Sequence, residues 1–74
     1  DQGYPPAQNK IGYMYYQGIS IKTDYKEAFE NYKLSAYQGY PLGQNNLGAM
    51  YENGDGVTKN EILATYWYLK ALEN

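Results

Sequence analysis

The chain has no cysteine, no histidine and no arginine among its 74 residues. Without cysteine there is no disulfide framework, no thiolate zinc site and no thiol nucleophile. Without histidine the commonest general base and metal ligand is missing. Without arginine there is no bidentate fork for phosphate or carboxylate. Six lysines face eight acidic residues, which leaves no basic patch of the kind nucleic acid demands. No apolar run approaches the ~20 residues of a membrane span, and no signal-peptide pattern opens the chain. No cofactor or metal is implied. These gaps exclude most enzyme classes and favour a binding or scaffolding module.

Aliphatic mass is scarce as well. Leucine, isoleucine, valine and phenylalanine together number twelve, about 16% of the chain. A share below ~20% with a high net charge would read as disorder. The net charge is only −2, however, and eleven tyrosines plus Trp67 supply the missing apolar surface. The expectation is one small domain with a tyrosine-built core. Such a domain buries only ~60% of its unfolded surface.

The chain repeats itself. Gln2-Gly3-Tyr4-Pro5 recurs as Gln38-Gly39-Tyr40-Pro41, an offset of 36. Sliding the whole chain by that offset gives twelve identities in 38 pairs, among them Gly12/Gly48, Tyr15/Tyr51, Gly18/Gly54, Ala28/Ala64 and Tyr32/Tyr68. A period in the range of ~20–50 residues is the mark of stacked supersecondary units.

Each unit reads as two helices, and strand signals are absent. The first helix starts after Pro5-Pro6 or Pro41, where proline's fixed φ suits a first turn. It ends at Gly18 or Gly54, good left-handed caps. Ala7, Ile11, Met14 and Tyr15 share one face, repeated by Gly43, Leu47, Met50 and Tyr51. The second helix opens at Asp24, with Glu27 at capping-box spacing. In the second copy Asn60 takes the cap position, and Thr58 with Glu61 competes for it. Ala28, Phe29, Tyr32 and Ala36 form a buried stripe. Ala64, Tyr66, Trp67, Tyr68, Ala71 and Leu72 are expected to do the same. Trp67 reads as an inter-helix plug.

Gly12 and Gly48 lie inside helices, where glycine costs ~1 kcal/mol against alanine. A close crossing explains them: the second helix approaches through Ala28 or Ala64, and Tyr15 and Tyr32 fill the space beside it.

These residues carry a family likeness. The run from Gly43 to Val57, with Leu47-Gly48-Ala49-Met50-Tyr51 and Gly54-Asp55-Gly56-Val57 at its centre, resembles the Sel-one-like repeat. So does Ala64-Thr65-Tyr66-Trp67-Tyr68-Leu69-Lys70-Ala71. Ala7 to Gly18 matches more loosely. It departs at Ile19-Ser20, where the second copy has Asp55-Gly56, so a differently shaped first loop is expected. The resemblance implies a tetratricopeptide-like, all-α solenoid of two helix–turn–helix repeats. It also implies an adaptor role without catalytic residues.

The register predicts a single domain over 1–74: 1–3 the tail of a preceding repeat, 4–39 repeat one and 40–74 repeat two. Repeats cut at both ends are expected to meet neighbouring repeats or to self-associate. Tyr4, Ile11 and Met14 would be uncovered at one end, and Tyr66, Leu69 and Leu72 at the other.

Carboxylate pairs Glu27/Glu30 and Glu52/Asp55 read as cap, solvated helix and turn residues rather than acid–base pairs. Tyr15, Tyr32, Tyr51 and Tyr68 read as core. In this architecture the first helices line the concave surface. Asn9, Tyr13, Tyr16 and Gln17, with Asn45, Ala49, Glu52 and Asn53, are therefore the candidate groove. Tyrosine and asparagine are contact formers that binding surfaces favour. The expected partner is a protein, met through a peptide or helix laid in that groove. Carbohydrate binding on the same tyrosine- and asparagine-lined surface is the alternative.

Overall fold

The computed structural model describes residues 3–73. Helix follows helix in the order α1 (Pro5–Gln17), α2 (Tyr25–Tyr37), α3 (Pro41–Asn53) and α4 (Glu61–Glu73), with no strand among the described residues. The predicted helix ends coincide with specific stop and start chemistry. Gly18 and Gly54 are left-handed at φ 74° and 72°, and their N–H groups donate to the carbonyls of Met14 and Met50. Asp24 Oδ1 accepts from the Glu27 N–H at 3.1 Å. Asn60 Oδ1 accepts from the Leu63 N–H at 3.0 Å, so Asn60 rather than Thr58 caps α4. The Asp24 and Asn60 side chains satisfy N–H groups, and the glycine N–H groups satisfy carbonyls, that the helices leave without internal partners.

The two loops have the same shape, against expectation. Ser20 adopts φ 61° where Gly56 adopts 70°. The Asp24 N–H donates to the Tyr15 carbonyl at 3.0 Å, and the Asn60 N–H donates to the Tyr51 carbonyl at 2.9 Å. The backbone closure therefore dictates the left-handed residue, and Ser20 accepts it despite its Cβ.

Within each repeat the helices cross at the internal glycine. A Cβ on Gly12 would lie 2.8 Å from Tyr32 Cδ1 and 3.2 Å from the Ala28 carbonyl. On Gly48 it would lie 3.0 Å from Tyr68 Cδ1 and 3.1 Å from the Ala64 carbonyl. Between repeats, α3 packs chiefly on α2 and meets α1 only along a narrow strip. Gly43 sits against Ser35 and Ala36 at that junction. Ala28, Phe29, Tyr32, Ala36, Leu47, Met50 and Trp67 form the shared core. Phe29 meets Tyr51 edge-on at 5.5 Å.

The repeat register decides which apolar residues are covered. Leu47 is fully buried because α2 lies over it, whereas its counterpart Ile11 is 44% exposed. Ala7 is likewise exposed where Gly43 is buried. The expected α4 stripe also needs correction. Ala64, Trp67 and Ala71 are buried, but Tyr66 is exposed and Leu72, at the position of buried Ala36, is 81% exposed. Among the described residues no helix packs over α4 as α3 packs over α2. Trp67 is the expected plug: its ring stacks on Tyr37 at 5.3 Å and meets Tyr66 edge-on at 5.0 Å. Of the segment expected to continue a preceding helix, Asp1 and Gln2 lie outside the described residues. Gly3 has φ 81°, matching 86° at Gly39.

Candidate functional site

Two side-chain stripes converge where α1 runs beside α3. Tyr13, Tyr16 and Gln17 follow an i, i+3, i+4 spacing on α1; Asn46, Ala49, Met50 and Asn53 follow i, i+3, i+4, i+7 on α3. With Tyr32 and Asp55 they line a cavity of about 200 Å³. Five of the eight residues expected in the groove, Tyr13, Tyr16, Gln17, Ala49 and Asn53, are in its wall.

The other three lie elsewhere. Asn9 accepts a hydrogen bond on Oδ1 from Asn46 Nδ2 at 2.8 Å, a polar tie between the repeats. Asn45 is exposed and does not line the cavity. Glu52 faces α4, where its carboxylate accepts from the Tyr68 hydroxyl at 2.7 Å.

Tyr16 is held on two sides. Its hydroxyl donates to Asp55 Oδ2 at 2.9 Å, and its ring stacks on Tyr25 at 4.8 Å. The hydrogen bond to Asp55 is the main cause that raises the Tyr16 pKa, with burial second. Tyr32 is only 3% exposed. Burial pushes its hydroxyl up to about 12, with the neighbouring phenols Tyr16 and Tyr13 adding to the effect. Tyr68 is also pushed up to about 12, first by burial and then by its bond to Glu52. Burial raises Tyr51 as well. The cavity wall therefore combines phenol, amide and carboxyl side chains, with no basic side chain among them.

Sequence reasoning assigned Tyr32 to the core, Met50 to the inward face of its helix and Asp55 to a turn, and passed over Asn46. The i, i+3, i+4, i+7 stripe carries the signal for Asn46: counting back from Asn53 through Ala49 reaches it. A larger cavity of about 570 Å³ was also not anticipated. It lies on the other side of the repeat junction, between Tyr37, Gln44, Tyr66 and Trp67. No group of three or more acidic residues among the described residues is arranged to hold a metal ion. No helix among them is long and apolar enough to cross a membrane.

A family model described as the Sel1 repeat matches residues 5–40 and again 41–74. The chain belongs to the Sel1 repeat family. Sel1 repeats are generally protein–protein interaction modules of the tetratricopeptide-like α-solenoid kind and typically serve as non-catalytic scaffolds. Two solved Sel1-type structures are closely similar. The crystal structure of a Sel1 repeat protein from Oxalobacter formigenes superposes with a TM-score of 0.91 at 43% identity over 93% of the chain. That of c5321, a protective antigen present in uropathogenic Escherichia coli strains and displaying an SLR fold, gives 0.94 at 42% identity over 96%. The chain spans 28% and 15% of the lengths of these two proteins. A search of curated proteins finds no match. The two Sel1 repeats here share one seam, α2 against α3, and the candidate cavity lies beside it.

Proposed function

We propose that the α1/α3 face is a groove that receives a peptide or helix of a protein partner, in a scaffold without catalytic activity. The observation that carries this reading is the convergence of Tyr13, Tyr16, Gln17, Ala49 and Asn53 on one cavity. Tyrosine rings give rigid contact area, and asparagine and glutamine amides match the donors and acceptors of a peptide backbone. The lack of cysteine, histidine and arginine supports the non-catalytic part of the reading. Exposed Ile11 at one end and Leu72 at the other suit the faces of neighbouring repeats or of a second copy.

Selecting a random peptide library on the folded chain tests the groove. Amide NMR shifts induced by the selected peptides should cluster on Tyr13, Asn46, Ala49 and Asn53. Peptides that instead map to the cavity beside Trp67, or a glycan array that binds where peptides do not, would overturn it. Sedimentation over a concentration series tests self-association; a strictly monomeric chain at high concentration would remove that partner.

A further inference from the structure

Tyr32 is almost wholly enclosed, yet its hydroxyl meets no hydrogen-bonding partner among the described residues. No fully buried side-chain nitrogen or oxygen among them is left unsatisfied. The Tyr32 oxygen therefore reaches solvent, and the cavity it lines provides the opening. The second repeat shows what is missing. There the counterpart Tyr68 donates to Glu52. In the first repeat Tyr16 stands at the position of Glu52, and its own hydroxyl is turned to Asp55.

The surroundings select the sign of an occupant. The cavity combines the rings of Tyr13, Tyr16 and Tyr32 with the Asp55 carboxylate, and no lysine lines it. Aromatic faces and a carboxylate attract a cation and repel an anion. The carboxylate accepts from Tyr16 through one oxygen, and an ionised carboxylate offers about four lone-pair sites in all. Asn46, Asn53 and Gln17 also line it, each with an amide group. Size narrows the choice. About 200 Å³ is below the ~300–1,000 Å³ of small-molecule sites and suits one side chain. A guanidinium is flat enough to stack on tyrosine, and its five donors spread over separated acceptors better than the three of an ammonium.

We infer that this cavity takes the guanidinium of an arginine side chain presented by the bound partner, with Tyr32 and Asp55 as acceptors and Tyr13 and Tyr16 as ring walls. The inference rests on the groove reading and names the chemistry at its centre.

The test titrates the folded chain with N-acetyl-arginine N-methylamide, followed by amide NMR, beside the lysine and citrulline counterparts. Citrulline keeps the shape and removes the charge. Arginine should shift Tyr13, Asn46, Ala49 and Asn53, with citrulline binding at least tenfold more weakly and lysine several-fold more weakly. Asp55→Asn keeps an acceptor for Tyr16 and should weaken arginine at least fivefold. Tyr32→Phe should weaken it about threefold while leaving the melting temperature in place. Citrulline or lysine binding as tightly as arginine would overturn the inference. So would arginine shifts centred on Glu61 or Glu73, or indifference to both substitutions. The groove reading fails separately: selected peptides that sit on this face without a basic residue leave the groove and remove the arginine site. Arginine binding here without any peptide on the face does the reverse.

Discussion

Tyr68 donates its hydroxyl to Glu52 at 2.7 Å, whereas Tyr32, thirty-six residues earlier, has no such partner among the described residues. The same residue at the same repeat position thus carries two different energetic roles. Tyr68→Phe should lower stability by about 1 kcal/mol, the ordinary net worth of a hydrogen bond. Tyr32→Phe should be neutral, because the hydroxyl it removes has no partner among the described residues and opens to solvent through the cavity. Thermal melts of the two variants distinguish these outcomes. Equal losses would mean that Tyr32 has a partner within the fold.

Alkaline pH should act on the same pair. Both phenols are pushed from the ordinary tyrosine pKa of about 10 to about 12 in the folded chain. Between those values the folded state holds protons that the unfolded state has released. Stability therefore falls as pH rises through that window and is unaffected by these groups below it. Urea unfolding at a series of pH values should show the decline begin near pH 10. The Tyr32→Phe, Tyr68→Phe double variant should decline less steeply.

Helix ends and crossings were legible in the sequence because each depends on one residue with one physical property. Proline starts α1 and α3, left-handed glycine ends them, and Asp24 and Asn60 cap the second helices. Coverage was not legible. Ile11 and Leu47 are equivalent in pattern, and only the position of α2 makes one exposed and the other buried. The site was half legible. Tyr13, Ala49 and Asn53 follow from the helical face, but Asn45 and Asn46 are adjacent and about 100° apart on the helix. The bond from Tyr16 to Asp55 joins residues 39 apart, beyond the reach of any local pattern.

Gly48 gives a direct measure of the crossing. An added Cβ would press on the Ala64 carbonyl at 3.1 Å, a backbone atom fixed by its own helix. Gly48→Ala should therefore lose about 1 kcal/mol, in spite of alanine's better helix propensity. Gly48→Leu should lose about 3 kcal/mol or more. Chemical denaturation ranks the two, and an alanine variant more stable than the parent would show that the helices separate readily.

The loops offer a reciprocal pair. Ser20 holds a left-handed φ of 61° with a Cβ present, so Ser20→Gly should stabilise by about 1 kcal/mol. Gly56→Ser should destabilise by ~2 kcal/mol or more, since its Cβ would collide with the Tyr25 carbonyl and lie 2.9 Å from the Lys26 nitrogen. Opposite signs in the melting shifts are the expected result; a destabilised Ser20→Gly variant would mean that the serine side chain contributes to the turn.

The stack of Tyr37 on Trp67 has a mechanical consequence. No Cα of α2 comes within 8 Å of α4 among the described residues, yet these rings bridge the two helices at 5.3 Å. On the opposite side Asn46–Asn9 and Tyr16–Asp55 span the same junction. A junction clamped on both sides resists bending in either direction, so the curvature of one repeat on the next is set before any partner arrives. A segment docking in the proposed groove would then lose its own freedom while drawing little ordering entropy from the solenoid.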